Sequence, residues 1–248
     1  MNIRKKLVGI GVLLLVLLGF VVGSVAAYRG EPGPYPGALQ LNLTYTGELS
    51  EEEKEALLYM IKEEKLARDV YLTLYEKCNL TVFEMIAQSE QRHMDAVLML
   101  IEKYNLTAPL TLDEVGVFEN QELQELYNKL IGMTTDKVEA LKVGALIEET
   151  DIQDLEGWLT KVDNQDIIQV FGNLMKGSEN HLRAFVRNLE VRRVSYEPQV
   201  LSEDQVNEIL SSQWHGHAYG HCEMCKGGMK RGRGPKAAPS TDYIFDLR

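Results

Sequence analysis

The sequence predicts an all-α protein whose core is a four-helix bundle, two antiparallel hairpins joined by a long crossover. Three observations carry this reading. Four segments repeat inward residues at steps of three and four. The connections between them run short, long, short, as one crossover between two hairpins requires. No alternating strand series interrupts the helical pattern.

The first helix starts at Ser50, with Glu53 placed to complete a capping box, and runs to about Lys77. Its inner stripe reads Leu57, Ile61, Glu64, Arg68, Tyr71 and Tyr75. The second starts at Thr81, with Glu84 in a second box position, and runs to about Tyr104. Its stripe is Phe83, Ile86, Glu90, His93, Val97 and Leu100. A linker from Asn105 to Thr134 follows, with a short helix expected near Glu119 to Leu130. The third long helix spans about Thr135 to Thr160, with Leu141, Ala145, Glu148, Ile152 and Leu155 inward. The fourth starts at Asp163 and ends near Arg192, with Phe171, Leu174, Ser178, His181 and Phe185 inward.

The chain divides into four parts. Residues 1–27 are a signal peptide or a membrane anchor. Arg4, Lys5 and Lys6 precede 22 uncharged residues, Leu7 to Tyr28, and the run ends in Ser24-Val25-Ala26-Ala27, the small-residue pattern of a cleavage site. Both alternatives place the rest outside the cytoplasm, because the positive end stays inside, and the membrane is met only through this segment. Residues 28–48, rich in Pro and Gly, read as a linker. Residues 49–193 hold the bundle. Residues 194–248 read as a tail. Asn-Leu-Thr triplets at Asn42, Asn79 and Asn105 match the glycan acceptor pattern, which is short and weakly specific.

Charge narrows the function. The chain carries 26 basic and 37 acidic residues, a net charge of −11. Nucleic acid is therefore not expected as a partner, since phosphate binding needs clustered Lys and Arg. Metal cations suit such a body better. Cys78 stands alone, and Cys222 and Cys225 form one Cys-x-x-Cys pair, so there is no disulfide framework.

Polar residues interrupt the apolar stripes at mid-helix: Glu64, Glu90, His93, Glu148 and His181. Glu90 and His93, three apart, share a helix face and can reach one metal. Buried carboxylates without partners cost too much to be left uncompensated, and divalent metal would compensate them. Oxygen and imidazole donors suit iron, manganese or zinc. Glu63 and Glu149 are adjacent alternatives to Glu64 and Glu148 and read as surface charges. Arg68, one turn after Glu64, is placed to pair with it. Tyr71 reads as core packing, with a hydrogen bond to a ligand as the alternative.

These residues resemble the ferritin-like di-iron carboxylate superfamily, which includes rubrerythrins and bacterioferritins. The stretches Glu63-Glu64-Lys65-Leu66-Ala67-Arg68-Asp69-Val70-Tyr71, Ser89-Glu90-Gln91-Arg92-His93 and Ser178-Glu179-Asn180-His181-Leu182-Arg183-Ala184-Phe185 look closer still to an uncharacterised archaeal and bacterial ferritin-like family, a domain of unknown function. The likeness covers roughly residues 49 to 210. It implies two metal ions, iron first, held by one Glu from each of two helices and a Glu-x-x-His from each of the other two. The sequence departs on its fourth helix, where Ser178 stands three before His181 in place of a Glu. Asp151 and Glu179 are the second-rank candidates to replace that carboxylate.

The resemblance implies an oxidoreductase that reacts with oxygen or peroxide or oxidises ferrous iron, with a homo-oligomer as a compatible state. A non-catalytic metal-binding or buffering protein is the alternative, and an interaction module with a vestigial polar core a third. The buffering reading draws on the tail, where His215, His217, His221, Cys222 and Cys225 place five metal-binding side chains within eleven residues.

Overall fold

The computed structural model describes residues 43–212. The signal or anchor at 1–27, most of the 28–48 linker and the tract of His215, His217, His221, Cys222 and Cys225 lie outside the described residues. Among the described residues the protein is all-helical, with six α-helices and no strand. None of these helices is long and apolar enough to cross a membrane.

Helix α1 spans Glu51–Cys78, α2 Thr81–Lys103, α3 Gln121–Met133, α4 Lys137–Leu159, α5 Gln165–Val191 and α6 Glu203–Ser211. Ser50 and Glu53 form the expected box at the start of α1. The second box does not form: the N-cap of α2 is Leu80, which makes no side-chain cap. The turn explains this. Asn79 ends α1 in the left-handed region at φ 50°, and only Leu80 separates it from α2, so Thr81 is already helical. Asn105, at φ 53°, turns the chain after α2 in the same way. Two of the three Asn-Leu-Thr triplets thus owe their Asn to backbone geometry that Asn tolerates. At α5 the cap is Asn164, whose side chain accepts the Asp166 and Ile167 N–H groups, not Asp163.

Helix α1 packs along α2 and α4 along α5; α2 also meets α5 and α1 meets α4. The core forms two apolar layers. One, at the start of α1 and α5, contains Leu57, Ile61, Val97, Leu100, Phe171 and Leu174. The other, at the far end, contains Tyr71, Leu74, Phe83, Leu141, Phe185 and Leu189. Each fully buried large side chain contributes roughly 1.5–3 kcal/mol. Those two layers provide the stability against which a polar layer between them is tolerated.

Residues 194–212, read as part of the tail, pack back onto the helices. The buried Glu149 carboxylate accepts the N–H groups of Gln199, Val200 and Leu201 at 2.7–3.1 Å and the Tyr196 hydroxyl. Leu201 and Val206 join the apolar core. Arg183 then donates to Ile209 O at 2.7 Å. Glu149 is therefore not a surface charge: it is 0% exposed and anchors this strap.

Candidate metal centre

The polar layer is built from α1, α2, α4 and α5, each contributing mid-helix side chains. Glu64 is 1% exposed, Glu90 2%, His93 6%, Glu148 1% and His181 8%. Helical phase explains the convergence: each of the five lies on a stripe whose other members fill the apolar layers. Two overlapping trios result, Glu64–Glu90–His93 and Glu90–Glu148–His181. Within each, one donor atom per residue lies within 4.8 Å of the others. Glu90 belongs to both. His93 Nδ1 lies 2.7 Å from Glu90 Oε2 and 3.2 Å from Glu64 Oε2. His181 Nδ1 lies 2.8 Å from Glu90 Oε1 and 3.4 Å from Glu148 Oε2. The imidazoles stack with centroids 5.5 Å apart.

Several donor atoms here have no hydrogen-bond partner: Glu64 Oε1, Glu90 Oε1, Asp151 Oδ1 and His181 Nδ1. His181 Nδ1 and Glu90 Oε1 approach each other at 2.8 Å as an ion pair. Buried orphans of this kind are rare and costly. Their chemistry, carboxylate oxygen plus imidazole nitrogen, fits a divalent ion of the iron, manganese or zinc type.

The electrostatics agree. Burial raises Glu64 well above its ordinary value, against the lowering pull of His93. Burial and the Glu90 charge push Glu148 to about 7. Burial also lifts Asp151, to about 6, although the Ser178 hydroxyl opposes it. Burial acts to raise Glu90 too, but His181 and His93 overrule it and hold Glu90 low. Burial disfavours charge on the imidazoles, yet Glu64 and Glu90 raise His93, and Glu90 and Glu148 raise His181 to about 10. Without metal, the layer holds its carboxylates together with protons on the imidazoles. A bound ion would displace those protons.

The chain has relatives of known sequence and structure. Residues 53–213 match the family described as "Uncharacterized protein domain (DUF2202)". The chain belongs to the DUF2202 family. It is 56% identical over 165 residues to the uncharacterized protein MJ0754 of Methanocaldococcus jannaschii, covering 66% of this chain and 89% of that protein. It is also similar to the crystal structure of hypothetical protein MJ0754 from Methanococcus jannaschii DSM 2661, with a TM-score of 0.67 and 54% identity. That likeness covers 69% of this chain and 98% of the other.

Within this DUF2202 domain the two second-rank candidates separate. Asp151 enters the polar layer, where the Ser178 hydroxyl donates to its Oδ2. Glu179 faces away, into a cleft with Glu156 and Glu208, and meets Arg183 at 3.3 Å. Arg68 does not pair with Glu64. It donates to Asp69 through Nε and Nη2, to Gln91 and to Leu112 O. Tyr71, fully buried, donates its hydroxyl to Glu148 Oε1 at 2.5 Å. Glu63 is half-buried, with Oε2 orphaned, where a surface charge was expected.

Gly177 carried no sequence signal. A Cβ there would lie 2.5 Å from His93 Nε2. The bare α5 backbone lets the His93 ring sit with Nδ1 toward the carboxylates. Nothing in the spacing of α5 marks this, because the clash partner comes from α2.

Proposed function

We propose that α1, α2, α4 and α5 form a ferritin-like four-helix bundle around a di-metal centre of an extracytoplasmic protein. Glu64, Glu90 and His93 would hold one ion, and Glu90, Glu148 and His181 the other, with Glu90 common to both. The observation that carries this reading is the pair of overlapping trios with orphaned donor atoms. Iron is the first assignment, because carboxylate-rich sites with two imidazoles suit it; manganese and zinc share the same donor chemistry. Iron bound there would supply electron transfer to oxygen or peroxide, or oxidation of further ferrous iron.

This chain's own residues have definable roles. Glu90 sits between the imidazoles, where its charge would offset that of both ions. The Tyr71 hydroxyl fixes one oxygen of Glu148, which orients the other toward His181. The two apolar layers exclude water above and below.

A second reading is a metal-binding or buffering protein without turnover. The observation favouring it is Ser178, which ties down Asp151 through a hydrogen bond and makes the centre asymmetric. The tract of His215, His217, His221, Cys222 and Cys225 would add capacity in that case.

Elemental analysis of the purified chain decides whether metal is held. Anaerobic ferrous iron followed by oxygen or peroxide then separates turnover from storage. A chain that retains no metal and takes up no ferrous iron would sink both readings. For location, protease added to intact cells should reach the helical domain; full protection would rule out export.

A further inference from the structure

The acidic character of the centre continues outward along the seam between α1 and α4. Beside Glu64 on α1 stands Glu63, and Asp151 and Asp154 lie on α4. Tyr59, one turn before Glu63 and 39% exposed, donates its hydroxyl to Asp154 Oδ2 at 2.8 Å. The same hydroxyl lies 3.5 Å from Glu63 Oε1. Trp158 packs against the Tyr59 ring, with centroids 5.6 Å apart.

Burial deepens along this line. Glu63 and Asp154 are half-buried, Asp151 is 8% exposed and Glu64 1%. Three of these four carboxylates keep an oxygen without a hydrogen-bond partner: Glu63 Oε2, Asp151 Oδ1 and Glu64 Oε1. Asp151 is more than nine-tenths buried, so its orphaned oxygen is costly unless something visits it. The side chains touching these carboxylates explain one oxygen of each pair and leave the other open.

We propose that this seam is the route by which divalent cations reach the centre, with Glu63 and Asp154 collecting the ion at the mouth and Asp151 passing it to Glu64. The proposal rests on the di-metal reading. A hydrated cation gives up its waters gradually, and each lost water needs an oxygen in its place. The seam offers carboxylate oxygens from solvent to centre. Like charges gathered in a low-dielectric wall also concentrate cations at the mouth.

The other acidic concavity does not offer this. The cleft between α4, α5 and α6, of about 280 Å³, carries Glu156, Glu179 and Glu208 on its rim. Ile152 and Leu201, 1% and 3% exposed, also line it. A cation crossing such an apolar wall would lose its waters without replacement.

The test uses the full-length chain, stripped of metal, mixed rapidly with Co²⁺ at low ionic strength. Visible absorption follows the exchange of water for protein ligands. The Glu63→Gln/Asp154→Asn double variant should load about tenfold more slowly, or worse, the lower end of electrostatic steering effects. Its final uptake should equal that of the natural chain. Added salt should slow the natural chain and leave the double variant nearly unchanged. A Glu156→Gln/Glu208→Gln variant, altered only in the other cleft, should load at the natural rate. Circular dichroism confirms that each variant is helical before mixing.

Equal rates for the natural chain and the double variant would overturn the route, as would slowing by the Glu156/Glu208 variant instead. Loss of final uptake in the double variant would also overturn it, by making these carboxylates ligands. If the natural chain takes up no Co²⁺ at all, the di-metal reading fails first. If it loads normally and only the variant's expected slowing is missing, the route alone fails.

Discussion

Helix α1 carries two buried charged clusters on different faces, and they are built on opposite principles. In the first, Lys65 and Asp69, 2% and 0% exposed, pair at 2.5 Å. Arg68 adds two donors to Asp69 Oδ1, and Gly116 N–H donates to Oδ2 at 2.9 Å. Lys65 also donates to Glu114 O and Arg68 to Leu112 O, at 2.8 and 2.7 Å. No atom of this cluster is orphaned among the described residues. In the second, Glu64 and its partners leave four donor atoms without hydrogen bonds. The first cluster is complete in itself and clamps the crossover between α2 and α3. The second is not complete in itself. Burial and charge alone do not distinguish them; hydrogen-bond accounting does.

The comparison breaks most visibly at Asp69. Asp69→Ala leaves two buried cations without their anion and should cost about 3–5 kcal/mol, read from urea unfolding of the metal-free protein. Glu90→Ala should cost clearly less. The imidazoles it leaves behind, unlike Lys65 and Arg68, can release their protons and become neutral, which limits the loss in the metal-free protein. A large loss in both variants would erase the distinction.

Gly177→Ala comes next. Its Cβ must displace the His93 ring, an overpacking cost of about 1–3 kcal/mol, offset in part by the roughly 0.5–1 kcal/mol that Ala gains over Gly in a helix. Gly172→Ala, also in α5 but with nothing within 4 Å of the new Cβ, is the control and should be stabilised. Metal stoichiometry should fall in the Gly177 variant and hold in the control.

Acid sharpens the picture at satisfied carboxylates. Burial raises Glu53, but N–H donors of Ser50, Asn164 and Asp163 hold it below its ordinary 4.5. Burial likewise opposes, and Lys103 and Tyr104 overcome, in holding Asp166 below 3.8. A lowered folded value means the stabilisation is present above the ordinary value and lost as pH falls through the folded one. Stability should therefore decline below about pH 4.5, and Glu53→Gln should flatten that decline in acid titrations followed by circular dichroism.

Much of this was legible in the sequence. The stripes placed Glu64, Glu90, His93, Glu148 and His181 inward because period 3.6 encodes direction, and the structure puts all five in one layer. Period does not encode the partner on another element. Glu149 looked like a surface charge because its partners, the N–H groups of residues 199–201, are backbone and carry no signature. Helical spacing points Arg68 at Glu64, yet Asp69, adjacent in sequence, takes it, and the crossover adds Leu112 O as a further acceptor. The strap and α6 carry little periodic signal, since few of their residues reach the apolar core, Leu201 and Val206 chief among them.

The smallest expected effect is Tyr71→Phe, which removes one hydrogen bond to Glu148 and should cost about 1 kcal/mol in thermal unfolding, without emptying the site.

The most direct measurement is the unfolding midpoint of the metal-free chain with and without saturating Mn²⁺, for the natural protein and for Glu90→Ala. A ligand at one hundred times its dissociation constant stabilises the folded state by about 2.7 kcal/mol. The natural chain should shift upward by at least that amount, and Glu90→Ala should scarcely move. Equal shifts in the two proteins, or none in either, would contradict the claim that the orphaned cluster is a metal centre.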